Sequence, residues 1–286
     1  MTRPMSISYV LVLFLLQLAA GMMATIALIP TGVVDRRFFK SISFWSALFI
    51  GLGLLAKRHS QFRLAAAFAV PDNLLQLARS ADTLYLFFGL ICLTLWARLR
   101  FSEKPLRRRT LVLTALAGLA AVFTDSLIYR PAAGPAWVHQ LLIPMNFVSA
   151  SLILGGFLAG MIFGHWFLVN TEMPKRLLVT MAGLLIGVLA FRIAAFGATL
   201  ALEATVVHPG ENFLAGLTSL QGHGIFFWQR VLVGLAIPAG VVAMVWNTTK
   251  IGSNQSATGI IYVGIAFVFI GELAARYLFL MTGIPL

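Results

Sequence analysis

The chain has 286 residues, of which 60% are hydrophobic and 10% are charged, and its mean hydropathy is +0.93. Soluble domains carry about 25% charged residues, so this composition excludes an ordinary soluble fold and indicates a polytopic helical membrane protein. The formal net charge of +12 does not indicate a nucleic-acid partner, because the basic residues lie in short connections between apolar runs.

Apolar runs long enough to cross a bilayer recur along the whole chain. No stretch between them is long enough for a separate soluble domain, so residues 1–286 are predicted to form a single integral-membrane domain, an all-α transmembrane bundle. The first run begins like a signal peptide but continues to about Ile29, which is too long for one. The predicted spans, about eight in number, are 8–29, 41–57, 81–98, 110–129, 139–169, 176–202, 223–247 and 257–282.

Three features lie between or within these spans. Segment 58–80 is predicted to form an interfacial helix interrupted by Pro71, because its apolar part is too short to span a membrane. Segment 204–222 either caps a site, docks a partner or is a plain surface loop. Pro238 is predicted to kink the seventh span near Arg230.

The distribution of Lys and Arg predicts the orientation. The connections richer in basic residues are predicted to be cytoplasmic, which places both termini outward in the inner (cytoplasmic) membrane of the cell, although the basic stretch 57–79 is an exception. The basic residues of the cytoplasmic set lie at 36–40, 98–109, 175–176 and 250.

Four ionisable residues, Arg192, Arg230, Glu272 and Arg276, lie deep inside apolar spans. A charge inside a bilayer costs about 3 kcal/mol or more, so such residues persist where they pair with each other or line a polar cavity. At 1.5 Å per residue, all four lie about 10–15 Å from the outer ends of their spans. Two interpretations stay open: a structural ion-pair network that holds the helices together, and a polar pocket in the outer half of the membrane.

A polar pocket of this composition suits a quinone. Arginine, histidine and a carboxylate near a membrane interface can hydrogen-bond a quinone carbonyl and handle the released proton. No nucleophile–base arrangement is visible, so no catalytic residue is assigned. The further candidates near the same face are Asp125, His139, His223 and Trp228, although the ring of Trp228 equally suits an interfacial aromatic belt.

Other redox centres fit the sequence less well. The single cysteine, Cys92, cannot form an internal disulfide or hold an iron–sulfur cluster. His139 and His223 lie too close to the surface for a bis-histidine haem, and His165 has no histidine partner at its depth. No His and Glu spacing indicates a metal site.

The last span carries a carboxylate and an arginine followed by aromatics, GELAARYLF, with Glu272, Arg276, Tyr277 and Phe279. With this span, its span number and its length, the chain resembles the membrane-anchor subunits of the dimethyl sulfoxide reductase and polysulfide reductase type, the NrfD-like family. The resemblance covers the whole chain by topology. It implies a subunit that binds menaquinone or ubiquinone and exchanges electrons with an iron–sulfur subunit, which serves a molybdopterin catalytic subunit.

The leading hypothesis is therefore a quinone- or quinol-binding membrane subunit of a respiratory oxidoreductase. The main alternative is a small-molecule or anion transporter with an arginine-lined site, although neither an internal repeat nor paired broken helices are visible. A membrane enzyme acting on lipid or isoprenoid is a third interpretation, but the Asp-rich or His-rich loop clusters common in such enzymes are not found.

Overall fold

The computed structural model describes residues 7–65, 72–129, 136–170, 173–174, 176–208, 213–220, 222 and 224–286. Within these residues, eight helices are long and apolar enough to cross a membrane, which confirms the prediction of a multi-pass helical bundle. The π-helical segment Glu203–Val207 ends the sixth span, and a second one, Leu232–Ala236, lies within the seventh. The helices are α1 (Ile7–Ala27), α2 (Arg36–Ala65), α3 (Asp72–Phe101), α4 (Arg108–Ser126), α5 (Ala136–Val169), α6 (Arg176–Leu202), α7 (Phe213–Thr218), α8 (Gly224–Val231), α9 (Ile237–Lys250) and α10 (Asn254–Thr282).

The prediction of an interfacial helix at 58–80 is wrong for the described residues. Residues 58–65 continue α2 beyond the span, and residues 72–80 begin α3. No glycine or proline occurs from Leu54 to Ala65, so nothing in the sequence stops the helix where it leaves the apolar region. Pro71 lies outside the described residues.

The spans pack as two rings of four helices. Helices α1 to α4 form the first ring, in which each helix contacts its neighbours and α4 closes back onto α1. Helices α5 and α6, the seventh span (α8, the π-helical segment and α9) and α10 form the second ring in the same way. Helix α1 joins the rings through contacts with α5 and α10 and is buried along nearly its whole length, because it carries no charge and is apolar all round.

Small residues set the closest helix crossings. A Cβ on Gly21 of α1 would overlap the main-chain oxygen of Ser151 in α5, and one on Gly155 would overlap the backbone of Gly21. In the second ring, a Cβ on Gly271 of α10 would overlap Cα of Gly234 in the seventh span. These positions let two backbones approach without intervening side chains, which is the main way that helices pack tightly in lipid.

The irregularity predicted near Pro238 is present as a π-helical turn, Leu232–Ala236, directly before α9. Proline has no N–H, so Pro238 cannot donate to the carbonyl of Gly234 four residues earlier. The side chain of Arg230 donates to that carbonyl instead, with Nη1 3.5 Å from the oxygen. The broken helix therefore supplies an acceptor that positions Arg230.

Candidate functional site: buried charge clusters and an adjoining pocket

The four ionisable residues identified from the sequence meet in the second ring and form the arginine–glutamate cluster: Arg192, Arg230, Glu272 and Arg276. Glu272 is fully buried at its centre. Its Oε1 accepts a hydrogen bond from Nε of Arg192 at 2.9 Å and lies 2.9 Å from Nη2 of Arg230. Its Oε2 accepts from Nη1 of Arg276 at 3.0 Å and from Nη2 of Arg192 at 3.3 Å.

Arg192 spreads its remaining donors over three more groups. Nη1 donates to Oδ1 of Asn146 at 2.6 Å and to Oγ of Ser149 at 3.3 Å, both on α5. Nη2 donates to the main-chain oxygen of Leu286 at 2.9 Å. The amide of Asn146 donates in turn to Oγ1 of Thr199 at 2.8 Å, which fixes the orientation of its oxygen toward Arg192.

Arg276 connects the cluster to α1. Its Nη2 donates to Oε1 of Gln17, and its guanidinium carbon lies 5.7 Å from the ring centroid of Phe14. Its Nη1 also donates to the main-chain oxygen of Glu272 at 2.6 Å, one helical turn earlier. Arg276 therefore bridges the two rings.

Positive charge is in excess in this cluster, because three guanidinium groups surround one carboxylate. Arg192, Arg230 and Arg276 are all buried. Among the described residues, Nε of Arg230 and Nε of Arg276 are buried without a hydrogen-bond partner. A buried donor or charge that lacks a partner is energetically costly, so the cluster is suited to receive a polar acceptor or a negative charge.

A small pocket adjoins the cluster. Its polar donors and acceptors come from Gln17, Asn146, Arg192 and Arg276, and aromatic and aliphatic side chains form the rest of its wall. The residues lining it are Leu13, Gln17, Asn146, Phe147, Ala150, Arg192, Ala275, Arg276, Phe279, Pro285 and Leu286.

Aromatic contacts join this pocket to the first ring. Tyr129, which follows α4, lies with its ring centroid 5.4 Å from that of Phe147 and 5.6 Å from that of Phe279. Its hydroxyl donates to the hydroxyl of Tyr9 on α1 at 2.8 Å. A hydrogen-bonded phenol pair therefore begins at the aromatic wall of the pocket and points away from it.

The first ring contains a second charge group, the lysine–aspartate cluster. Nζ of Lys57 lies 2.9 Å from Oδ1 of Asp125 and 2.7 Å from Oδ1 of Asp82. Lys57 and Asp125 are buried, whereas 28% of the Asp82 side chain is exposed, so only Asp82 gives this cluster clear access to the surface. The structure thus places Asp125 in a different cluster from Glu272.

Lys57 and Asp82 were missed by sequence reasoning. The sequence assigned Lys57 to the exceptional basic connection at 57–79, but the structure buries it inside α2. The available signal was its position directly after the apolar run ALFIGLGLLA, which keeps it on the helix that crosses the membrane.

The remaining candidates lie elsewhere. His139 has Nε2 3.3 Å from Oε1 of Glu203, a buried carboxylate on the π-helical segment that ends the sixth span, and Nε2 of His208 lies 3.9 Å from Oε2 of the same carboxylate. Trp228 is exposed, and its indole N–H donates to the main-chain oxygen of Thr218 at 3.0 Å. His223 lies outside the described residues.

Most of the described ionisable groups share one half of the bundle. Consecutive spans run in opposite directions, so the beginnings of odd-numbered spans and the ends of even-numbered spans lie at the same face. This agrees with the gathering of ionisable residues inferred from the sequence, while the outward assignment of that half stays a prediction. The residues concerned are Lys57, Asp82, Asp125, His139, Glu203, Arg230, Glu272 and Arg276.

In the part of the chain that the structure describes, no group of three or more His, Cys, Asp or Glu side chains could hold a metal ion. No protein-family model matches the chain, and a search of curated proteins finds no relative. The resemblance to the NrfD-like family therefore stays a prediction, and function is argued from the two charge clusters and the pocket between the rings.

Proposed function

We propose that this chain is a quinone- or quinol-binding subunit of a respiratory oxidoreductase in the inner membrane, and that menaquinone or ubiquinone binds in the pocket beside the arginine–glutamate cluster. The observation that carries the proposal is the composition of that pocket. Cationic and amide groups of Gln17, Asn146 and Arg276 line it together with the rings of Phe147 and Phe279. A quinone head group matches this combination, with carbonyl acceptors at its edge and an apolar ring face.

The donor set fits such a head group. Arg276 lines the pocket, and among the described residues its buried Nε has no hydrogen-bond partner, so this part of the site lacks an acceptor that a carbonyl oxygen can supply. A bound quinone would supply two-electron, two-proton chemistry. The excess positive charge of the cluster would stabilise negative charge that develops on the ligand, since preorganised donors act strongly in a site shielded from water.

The chain also offers groups for proton transfer. The hydroxyl pair of Tyr129 and Tyr9 leads from the pocket wall into the first ring. The first ring also contains the lysine–aspartate cluster. Asp82 then reaches the surface. These contacts support a route by which protons leave or reach the pocket through the first ring.

Electron transfer requires a partner in this proposal. One cysteine cannot ligate an iron–sulfur cluster, so the iron–sulfur centre and the catalytic site are assigned to partner subunits. Purification in mild detergent from the native membrane, followed by mass spectrometry of the co-purifying chains, tests this assignment. An iron–sulfur protein that co-purifies in stoichiometric amount supports it, and a chain that purifies alone contradicts it.

The pocket itself is tested by filling it. Ala150 lines the pocket, so Ala150→Leu should obstruct it without removing a charge, whereas Ala190→Leu makes the same change at an exposed position of α6. We expect wild type and Ala190→Leu to retain quinone through purification, and Ala150→Leu to retain at least tenfold less. Quinone extracted from the purified proteins is quantified by chromatography. Equal retention by Ala150→Leu, or no quinone on the wild type, overturns the proposal.

A second candidate function, transport of a small anion, is favoured by the charge excess of the arginine–glutamate cluster. It predicts that the chain alone carries an inorganic anion such as sulfate into proteoliposomes, and that Arg230→Gln abolishes the flux. Flux without bound quinone would replace the proposal above, and quinone retention without flux would exclude transport of the tested anion.

A further inference from the structure

Aromatic side chains form a continuous surface on α2 and α3, in the half of the first ring away from the lysine–aspartate cluster. The ring centroid of Phe44 on α2 lies 5.9 Å from that of Trp96 on α3, so this pair joins the two helices. Trp45 lies 5.7 Å from Phe44, and Phe49 stacks on Trp45 at 6.0 Å. Phe44 and Trp45 are each 41% exposed. We call these four rings the aromatic platform.

Two basic residues lie directly beyond the platform, toward the membrane surface. Lys40 precedes Phe44 by one turn of α2, and Arg100 follows Trp96 by one turn of α3, a rise of about 6 Å in each helix. Because consecutive spans run in opposite directions, both shifts lead to the same end of the ring. The guanidinium carbon of Arg100 also lies 5.5 Å from the ring centroid of Phe101. We call Lys40 and Arg100 the basic rim.

The fold sets the position of this rim. Nη2 of Arg36, at the start of α2, donates to the main-chain oxygen of Arg98 at 2.9 Å and to that of Ser102. This contact ties the start of α2 to the end of α3. It lies on one side of the rim, and the contact between the platform rings of the two helices lies on the other side. The backbones that carry Lys40 and Arg100 are therefore held together from both sides.

Positive charge is in excess at this end of the first ring. Segments 35–40 and 98–109 contain nine basic and two acidic residues. One of the two carboxylates, Asp35, accepts a hydrogen bond from the main-chain N–H of Arg37 at 2.7 Å. Among the described residues, no ion pair involves Lys40 or Arg100. An anionic group is therefore the electrostatic complement of the rim.

The depth of the platform decides which kind of anion fits. Phe49 lies 13 residues after Arg36, which is about 20 Å along the helix axis. Rings of an ordinary interfacial belt lie at the level of the head groups, whereas this platform continues into the apolar core of the bilayer. A phospholipid has the same arrangement, with a phosphate at the surface and apolar chains below it.

We propose that Lys40 and Arg100 bind the phosphate of an anionic phospholipid whose acyl chains lie on the aromatic platform. The predicted orientation places this site in the cytoplasmic leaflet, whose anionic lipids attract basic segments next to membrane spans. The proposal does not depend on the quinone function, because the platform and the arginine–glutamate cluster lie in opposite halves of the membrane.

Native mass spectrometry tests the site. Delipidated protein in mild detergent is mixed with equal amounts of phosphatidylglycerol, cardiolipin and, as the zwitterionic reference, phosphatidylethanolamine. We expect the wild type to retain at least one of the anionic lipids at least tenfold more than the reference. The double variant Lys40→Gln with Arg100→Gln should lose that preference, whereas Lys40→Arg with Arg100→Lys should keep it within twofold, because both charges remain.

A matched control removes the same charge elsewhere at this end of the ring. Arg108→Gln with Arg109→Gln neutralises two exposed positions at the start of α4, and retention should stay within twofold of wild type. Trp96→Leu keeps the span apolar but removes a platform ring, and it should lower retention at least threefold. Equal retention of anionic and zwitterionic lipids by the wild type overturns the site. Equal losses in the two charge-neutralising double variants also overturn it, because the attraction is then a general effect of charge.

A second measurement leaves the rim intact and decides the question even where a variant does not fold. The photoreactive amino acid p-benzoylphenylalanine replaces Phe101, which is 79% exposed beside Arg100, and the protein is irradiated in its native membrane. We expect mass spectrometry to find an adduct with an anionic phospholipid. An adduct with another protein instead overturns the lipid site and assigns the platform to a partner's membrane helix.

Discussion

At the scale of single residues, the main feature of the site is the excess of positive charge around Glu272. One carboxylate contacts three guanidinium groups in a region from which water is largely excluded. Its removal leaves three buried like charges without a counter-ion, whereas removal of one arginine leaves a carboxylate that still has two partners. The two changes should therefore differ in their effect on folding, although each removes one charge.

We expect Glu272→Gln to lower the free energy of unfolding by about 3–5 kcal/mol, the usual effect of breaking a buried ion pair from one side. Arg230→Gln should have a clearly smaller effect, because it reduces the excess of positive charge. Thermal unfolding in mild detergent, followed by circular dichroism, measures both. If Arg230→Gln destabilises the protein as much as Glu272→Gln, the excess of positive charge does not determine the stability of the cluster.

Sequence reasoning found the members of this cluster because a charged residue within an apolar span is evident from the sequence alone. It did not find the partners Gln17 and Asn146, because an uncharged amide in a membrane helix is common and gives no signal of direction. Lys57 was missed for a different reason: a basic residue at the end of a span normally points to the interface. Burial of Lys57 becomes favourable through its ion pairs with Asp82 on α3 and Asp125 on α4, which depend on the packing of the first ring.

At the scale of elements, the crossing of α10 with the seventh span positions the site. Gly271 and Gly234 bring the two backbones together directly beside Glu272, and Pro238 frees the Gly234 carbonyl that Arg230 contacts. Helix packing and placement of charge therefore depend on the same turn. A small change in the separation of these helices would alter the distance between Arg230 and Glu272.

Gly271→Ala should destabilise the protein by roughly 2 kcal/mol or more, because the added methyl group would overlap Cα of Gly234. The matched control is Gly259→Ala on the same helix, where a Cβ would meet nothing within 4 Å. That change should be neutral or stabilise by up to about 1 kcal/mol, since alanine favours helix over glycine. Melting temperatures in detergent compare the two variants, and equal values would show that this crossing is not tight.

At the scale of the whole molecule, two four-helix rings share α1 and enclose polar groups in one half of the membrane. Eight spans place the beginning of α1 and the end of α10 at the same face. The distribution of Lys and Arg predicts that this face is on the outer side of the membrane. The side of the membrane with which the proposed route exchanges protons depends on that assignment.

Cysteine labelling checks the orientation. In a Cys92→Ala background, Glu103→Cys lies between α3 and α4, and Leu220→Cys lies between α7 and α8; both positions are exposed. We expect a membrane-impermeant maleimide to label position 220 in intact spheroplasts and position 103 only in inverted vesicles. The opposite pattern would reverse the topology and place the polar half toward the cytoplasm.

The sequence by itself determined the number of spans and that Arg192, Arg230, Glu272 and Arg276 lie inside them, because insertion into a bilayer depends on length and local hydrophobicity. The tertiary structure alone decided that Glu272 is shared by three arginines, that Asp125 pairs with Lys57 and that a pocket adjoins Arg192 and Arg276. These features depend on how each helix is rotated and where it crosses its neighbours. Rotation and crossing are fixed by contacts between residues far apart in the chain, such as Gly21 with Gly155 and Gly234 with Gly271, which no local pattern encodes.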